Sequence, residues 1–210
     1  MLFDERLYDY ADLYSHQMPD YLNDLLRETA LTTVNPFMAS GPVLGRLLMQ
    51  ISQWIKPSTI LEIGSFTGYS ALCLAQGLPE YGTITCLEVN EEYEAIIRKY
   101  FTRAGKSHQL NLIIGDALTK VKSLSGQFDL VLIDANKQHN EILYDLVYPL
   151  LTDHGTVLID NTLWYGNVIQ SNMDKESKAI HDFNVKLSMD KRVNVSILPI
   201  RDGITLIAKK

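Results

Sequence analysis

Basic residues are in the minority in this chain, where 19 Lys and Arg stand against 25 Asp and Glu for a formal net charge of −6. That balance supplies no electrostatic footprint for a nucleic-acid backbone or an anionic membrane surface. Cysteine is scarce as well. Cys73 and Cys86 fall inside predicted regular structure rather than in a spaced framework, so they read as small core residues of a chain kept in a reducing, cytoplasmic compartment. No apolar run approaches the length of a membrane span. The opening "MLFDERLYDYADLY" is acidic and amphipathic, without the basic start and apolar core of an export signal. The 12 Gly and 7 Pro sit singly between periodic segments, and no repeat, low-complexity run or linker emerges.

What is present suits one globular domain over residues 1–210, with 46% hydrophobic and 21% charged residues. A chain of this size buries roughly 70% of the surface its unfolded form exposes. Residues 1–55 carry helical spacing, as in "PDYLNDLLRETA", where Leu22, Leu25 and Leu26 share a face after a Pro-Asp start. They form an N-terminal helical cap on a core spanning 56–210. From Thr59 onward short apolar runs alternate with helical patterns: "TILEIG", "TITCLEV", "NLIIGDA", "FDLVLIDA" and "GTVLIDN" are the strands. Such alternation predicts right-handed crossovers and a Rossmann-like, doubly wound α/β sheet of five parallel strands. The last two runs, "VNVSILPI" and "GITLIAKK", are separated only by Arg201 and Asp202. They should form an antiparallel hairpin closing on Asp202-Gly203, giving seven strands in all.

In such a sheet ligands bind outside the carboxyl ends of the strands, where the strand order reverses. The first strand ends in "LEIGSFTGYSA", where Gly64 and Gly68 bracket a turn into a helix. The G-x-x-x-G spacing departs from the G-x-G-x-x-G of pyrophosphate binders. Glu62 would repel a pyrophosphate but suits an ammonium group. Glu88, at the end of the second strand, suits both hydroxyls of a ribose, and Asp116 in "GDA" lies near an adenine edge. An amine acceptor, a ribose acceptor and no phosphate cradle describe S-adenosylmethionine better than a nicotinamide dinucleotide.

With these stretches in place, and with "CLEVN", "LIDANK", "LIDNTLWYG" and "PIRDGITLIAKK" beside them, almost the whole chain resembles the cation-dependent class I O-methyltransferases, which include catechol and caffeoyl-CoA O-methyltransferases. The resemblance implies that Glu62, Gly64, Ser65, Ser70, Glu88, Asp116 and Ala117 line the cofactor together with Asp134, and that Met38 caps it from the N-terminal helices. It assigns Asp134, Asp160 and Asn161 to one divalent cation. Three hard oxygen ligands without a nearby Cys or His pair favour Mg²⁺, with Ca²⁺ or Mn²⁺ possible. Asn136 stands where many members carry a second Asp. By the same resemblance Lys137, three residues after Asp134, is the general base that takes the acceptor's proton. The histidines show no ligand spacing, and "GYSAL" lacks the second Gly of a hydrolase elbow, so Ser70 is not a nucleophile.

Acceptor choice belongs to loops such as "LWYGNVIQSNMDKES", where Trp164 and Tyr165 could wall a planar aromatic ring or serve as packing or dimer contacts. The expected activity is methyl transfer to a hydroxyl of a small aromatic acceptor, catechol-like or hydroxycinnamoyl. A tRNA hydroxyuridine O-methyltransferase is the runner-up. A nicotinamide-dependent oxidoreductase and a non-catalytic cofactor-binding module stand behind it. The family also implies a homodimer with the N-terminal helices in the contact.

Overall fold

A computed structural model of the chain describes residues 5–210. The first four residues of the expected cap, and with them the start of the amphipathic opening, lie outside that range. The rest of the cap is helical as its spacing predicts: α1 Glu5–Leu13, α2 Asp20–Thr32 and α3 Gly41–Ile55. Helix α2 starts directly after Pro19, whose missing N–H is no loss at a helix start, and it buries Leu22 and Leu25.

The strands are β1 Thr59–Ile63, β2 Thr83–Glu88, β3 Leu110–Ile114, β4 Phe128–Ile133, β5 Leu151–Asp160, β6 Val193–Leu198 and β7 Ile204–Lys209. They form one sheet in the order β3-β2-β1-β4-β5-β7-β6. The first five are parallel, and β7 runs antiparallel to both β5 and β6. This is the expected seven-stranded Rossmann-like sheet. The hairpin loop, however, runs from residue 199 to 203 instead of closing over two residues. Pro199 has no N–H to continue the ladder, so the chain leaves the strand early and turns at Ile200, whose carbonyl accepts from Gly203 N at 2.9 Å.

Between the parallel strands run α4 Tyr69–Leu74, α5 Glu94–Arg103, the short α6 Ala117–Lys120 and α7 Asn140–Val147. A further helix, α8 Lys175–Met189, links β5 to β6 and was not among the elements the sequence suggested. Asp174 caps it by accepting from Ser177 N, and Ile180, Phe183 and Leu187 are its buried stripe.

Period-two alternation sorts the strands between two cores. Ile60, Cys86, Leu130, Leu132, Leu158 and Ile204 face the layer that holds α2 to α5. Leu61, Ile63, Val131, Ile133, Val157 and Ile159 face α7 and α8. Each Val, Leu or Ile among them stabilises the fold by about 1.5–3 kcal/mol when fully buried. Glu62 and Glu88 have the parity of Ile60 and Cys86, so both carboxylates point toward the first layer. Cys73 and Cys86 are buried free thiols, as expected. Among the described residues no helix is long and apolar enough to cross a membrane.

Candidate active site

The strand order reverses between β1 and β4, whose carboxyl ends lie side by side. Gly64 N still reaches back to Leu87 O at 2.9 Å, and Asp134 N to Ile63 O at 2.8 Å. Gly64 has a φ of +94°, and a Cβ there would lie 2.2 Å from the carbonyl oxygen of Asp134. Only glycine lets these two strand ends sit together.

A cleft of about 710 Å³ opens above this point. Among the expected site residues it is lined by Met38, Gly64, Glu88, Ala117, Asp134, Lys137, Asp160, Asn161, Trp164 and Tyr165. Glu88 is held ready: its Oε2 accepts from Phe66 N at 2.6 Å and its Oε1 from Asn90 N at 2.9 Å. Each oxygen keeps a lone pair for another donor. Burial raises the pKa of this carboxyl, and those backbone N–H groups pull it back.

Glu62, Ser65 and Ser70 lie beneath the cleft floor and not on it. All three are buried, and neither Glu62 oxygen has a hydrogen-bond partner. Burial pushes the Glu62 carboxyl up to about 7, against the pull of the Ser65 and Ser70 hydroxyls. Glu62 is thus placed beneath the loop that follows β1 and does not itself line the open cleft. Asp116 is exposed, and its Oδ1 caps α6 by accepting from Thr119 N and Oγ1, while its neighbours Gly115 and Ala117 line the cleft.

At the other end of the cleft β4 and β5 deliver Asp134 and Asp160 side by side. Asp160 is buried, and its Oδ1 accepts from Asn161 N at 2.7 Å. Its carboxyl is pushed up to about 7, first by burial and then by the charge of Asp134, while Lys137, Asn161 N–H and Arg201 draw it down. Lys137 Nζ forms an ion pair with Asp134 Oδ1. Asn161 sits at φ +61°, a region Asn tolerates better than most residues. Among the described residues no group of three or more His, Cys, Asp or Glu is placed to hold a metal ion. The donor set is instead two carboxylates and an amide. Two crowded carboxylates, one resisting ionisation, fit a hard dication in their chemistry.

Sequence reasoning missed Phe37, Phe66, Asn90, Tyr93, Arg201 and Asp202, which also line the cleft. Phe66 and Tyr93 meet edge to face at 4.8 Å. Asp202 O holds the loop after β5 by accepting from Leu163 N at 2.7 Å and Trp164 N at 3.2 Å. A charged pair at the tip of the final hairpin was the one available signal.

An open parallel sheet with an antiparallel terminal hairpin, and an acid at the end of β2 beside a glycine turn after β1, defines the class I S-adenosylmethionine-dependent methyltransferases. The family model described as O-methyltransferase matches residues 12–210, and the chain belongs to that family. It is 32% identical over 214 residues to a probable caffeoyl-CoA O-methyltransferase 2 of Dictyostelium discoideum, covering 99% of this chain and 93% of that protein. Among solved structures, a methyltransferase of Podospora anserina bound to S-adenosylhomocysteine (SAH) superposes with a TM-score of 0.90 at 29% identity, over 98% of this chain and 94% of that one. An O-methyltransferase of Bacillus cereus in complex with SAH gives a TM-score of 0.90 at 25% identity, over 98% and 97%. The chain is thus an S-adenosylmethionine-dependent O-methyltransferase, and the oxidoreductase alternative falls away.

Proposed function

We propose that this enzyme is divalent-cation-dependent and methylates a hydroxyl of a small aromatic acceptor, catechol-like or hydroxycinnamoyl. The observation that carries the reading is the crowded pair of Asp134 and Asp160, with Asn161 beside it, on the same cleft as Glu88. Asp134, Asp160 and Asn161 would hold a cation such as Mg²⁺, Ca²⁺ or Mn²⁺, which when bound acidifies and orients an acceptor hydroxyl.

The chain's own residues do the rest. Glu88 takes the ribose hydroxyls with its free lone pairs. Gly64 admits the ligand close to backbone, Met38 covers it from the cap, and Ala117 faces the base while Asp116 fixes the start of α6. The carboxylate of Glu62, flanked by Ser65 and Ser70, supplies negative potential beneath the cofactor's ammonium group. Trp164 and Tyr165, with rings 5.4 Å apart, wall the acceptor ring. Methyl transfer from sulfonium to oxygen releases one proton. Lys137, in its neutral amine form beside Asp134, would receive it.

The working unit is a homodimer with the N-terminal helices in the contact. The exposed Leu7, Tyr10 and Leu13 along α1, with Tyr14 just after it, support this, and light scattering returning the mass of one 23.8 kDa chain would overturn it. The function is tested by transfer of labelled methyl to 4-methylcatechol, to a caffeoyl thioester and to bulk tRNA, with Mg²⁺ and with a chelator. Label on either small diol, lost with the chelator, is the expected result. Label confined to tRNA, or transfer indifferent to the chelator, would overturn the proposal.

A further inference from the structure

Arg201 stands in a conformation that disfavours it. Its φ is +52°, in the left-handed region where a residue with a long side chain is strained. The turn could be built more cheaply with glycine. The two terminal guanidinium nitrogens and the backbone N of Arg201, however, donate to the cap, far away in sequence. One guanidinium nitrogen donates to the carbonyls of Ala39, at 3.1 Å, and Ser40, and the other to Phe37 O at 3.4 Å. Its backbone N donates to the hydroxyl of Tyr8 in α1 at 2.8 Å.

The segment it grips carries Phe37 and Met38, which line the cofactor cleft and are 90% and 59% exposed. Phe37, Tyr165, Arg201 and Asp202 also line a second cavity of about 680 Å³ under the cap, between α1 and the start of α3. These four residues are the wall between the two spaces. Its cap side has little else to hold it, since Met38 N and Ala39 N bond only within their own turn, to Asn35 O and Pro36 O.

We propose that Arg201 is a positioning residue that latches the 36–40 segment onto the terminal hairpin, holding Phe37 and Met38 as the cover of the cofactor cleft. The strain at its backbone is offset by the carbonyl contacts that only a long, multiply donating side chain can make across this gap. The inference stands on the geometry of the latch and on the family's cofactor, independently of the acceptor or the metal.

The test compares the parent with Arg201→Gly, which relaxes the backbone and removes the latch, and Arg201→Lys, which restores part of it. Amide hydrogen exchange is read at Met38 and Ala39 and, as reference, in β1 and β4. In Arg201→Gly, exchange at Met38 and Ala39 should rise about tenfold or more while the strands keep parental rates, and calorimetry should show SAH binding weakened about 5–10-fold, or roughly 1–1.4 kcal/mol. Arg201→Lys should fall between the two. Unchanged exchange at Met38 and Ala39, or a rise that runs in parallel through β1 and β4, would overturn the latch. So would parental SAH affinity in Arg201→Gly. Failure of every diol in the methyl-transfer assay would count against the proposed acceptor and leave these readouts untouched.

Discussion

Replacing Glu62 by Gln keeps the shape of the side chain and removes its charge, which isolates the cost of burying that charge. The carboxyl is fully buried with neither oxygen hydrogen-bonded, and desolvation lifts its pKa from 4.5 to about 7. In the unfolded chain the group ionises near the lower value, so between the two the folded state keeps a proton that the unfolded state has released. The stability this group contributes is therefore fully present below about pH 4.5 and is lost as the pH rises through about 7. At about 1.4 kcal/mol per pH unit of separation, the loss between about pH 5 and about pH 8 is about 2–3 kcal/mol. Glu62→Gln lacks the group, so its stability relative to the parent, from urea unfolding without cofactor, should grow by that amount over the range. Asp160 and Glu88, which also have raised pKa values, titrate in both proteins and largely cancel. A difference flat with pH would refute the reasoning, because it would mean that the folded protein already solvates this carboxylate. The same variant should bind SAH more weakly, since an amide offers the ligand's ammonium no charge.

Lys137→Ala should leave cofactor and Mg²⁺ affinity nearly intact and lower turnover by about 10²–10⁴-fold, with partial recovery at high pH; full turnover at neutral pH would remove Lys137 from the chemistry. Glu88→Ala should weaken SAH binding by about 1–3 kcal/mol in calorimetry, the range for hydrogen bonds to a charged acceptor, and unchanged affinity would take Glu88 out of the site. Gly64→Ala should destabilise the fold by about 3 kcal/mol or more, because strain at positive φ adds to the clash with the Asp134 carbonyl; a parental thermal midpoint would contradict the tight strand junction. Asp129, at the opposite end of the sheet, accepts from Ser58 N, Thr59 N and Thr152 Oγ1. Asp129→Ala should therefore lose about 1–3 kcal/mol in urea unfolding with kcat unaltered, and a matching loss of turnover would show that this end is coupled to the site.

Local pattern alone determined that this chain makes five strands of one kind and two of another, because period-two alternation and connection length are properties of neighbouring residues. It placed Glu62, Glu88, Asp134 and Asp160 at or near strand ends for the same reason, and Gly64 at the turn that needs it. Helix α8 escaped notice because Ile180, Phe183 and Leu187 are diluted by charged residues, and their burial depends on the sheet face they meet. Only the tertiary structure decided that Glu62 lies buried beneath the loop after β1 and that Asp160 resists ionisation beside Asp134. The engagement of Arg201 with Phe37, Ala39 and Ser40 was equally invisible, since those carbonyls lie more than 160 positions earlier in the chain. A sequence reports what each segment prefers by itself, whereas desolvation and the partners of a charged group depend on which distant segments the fold brings against it.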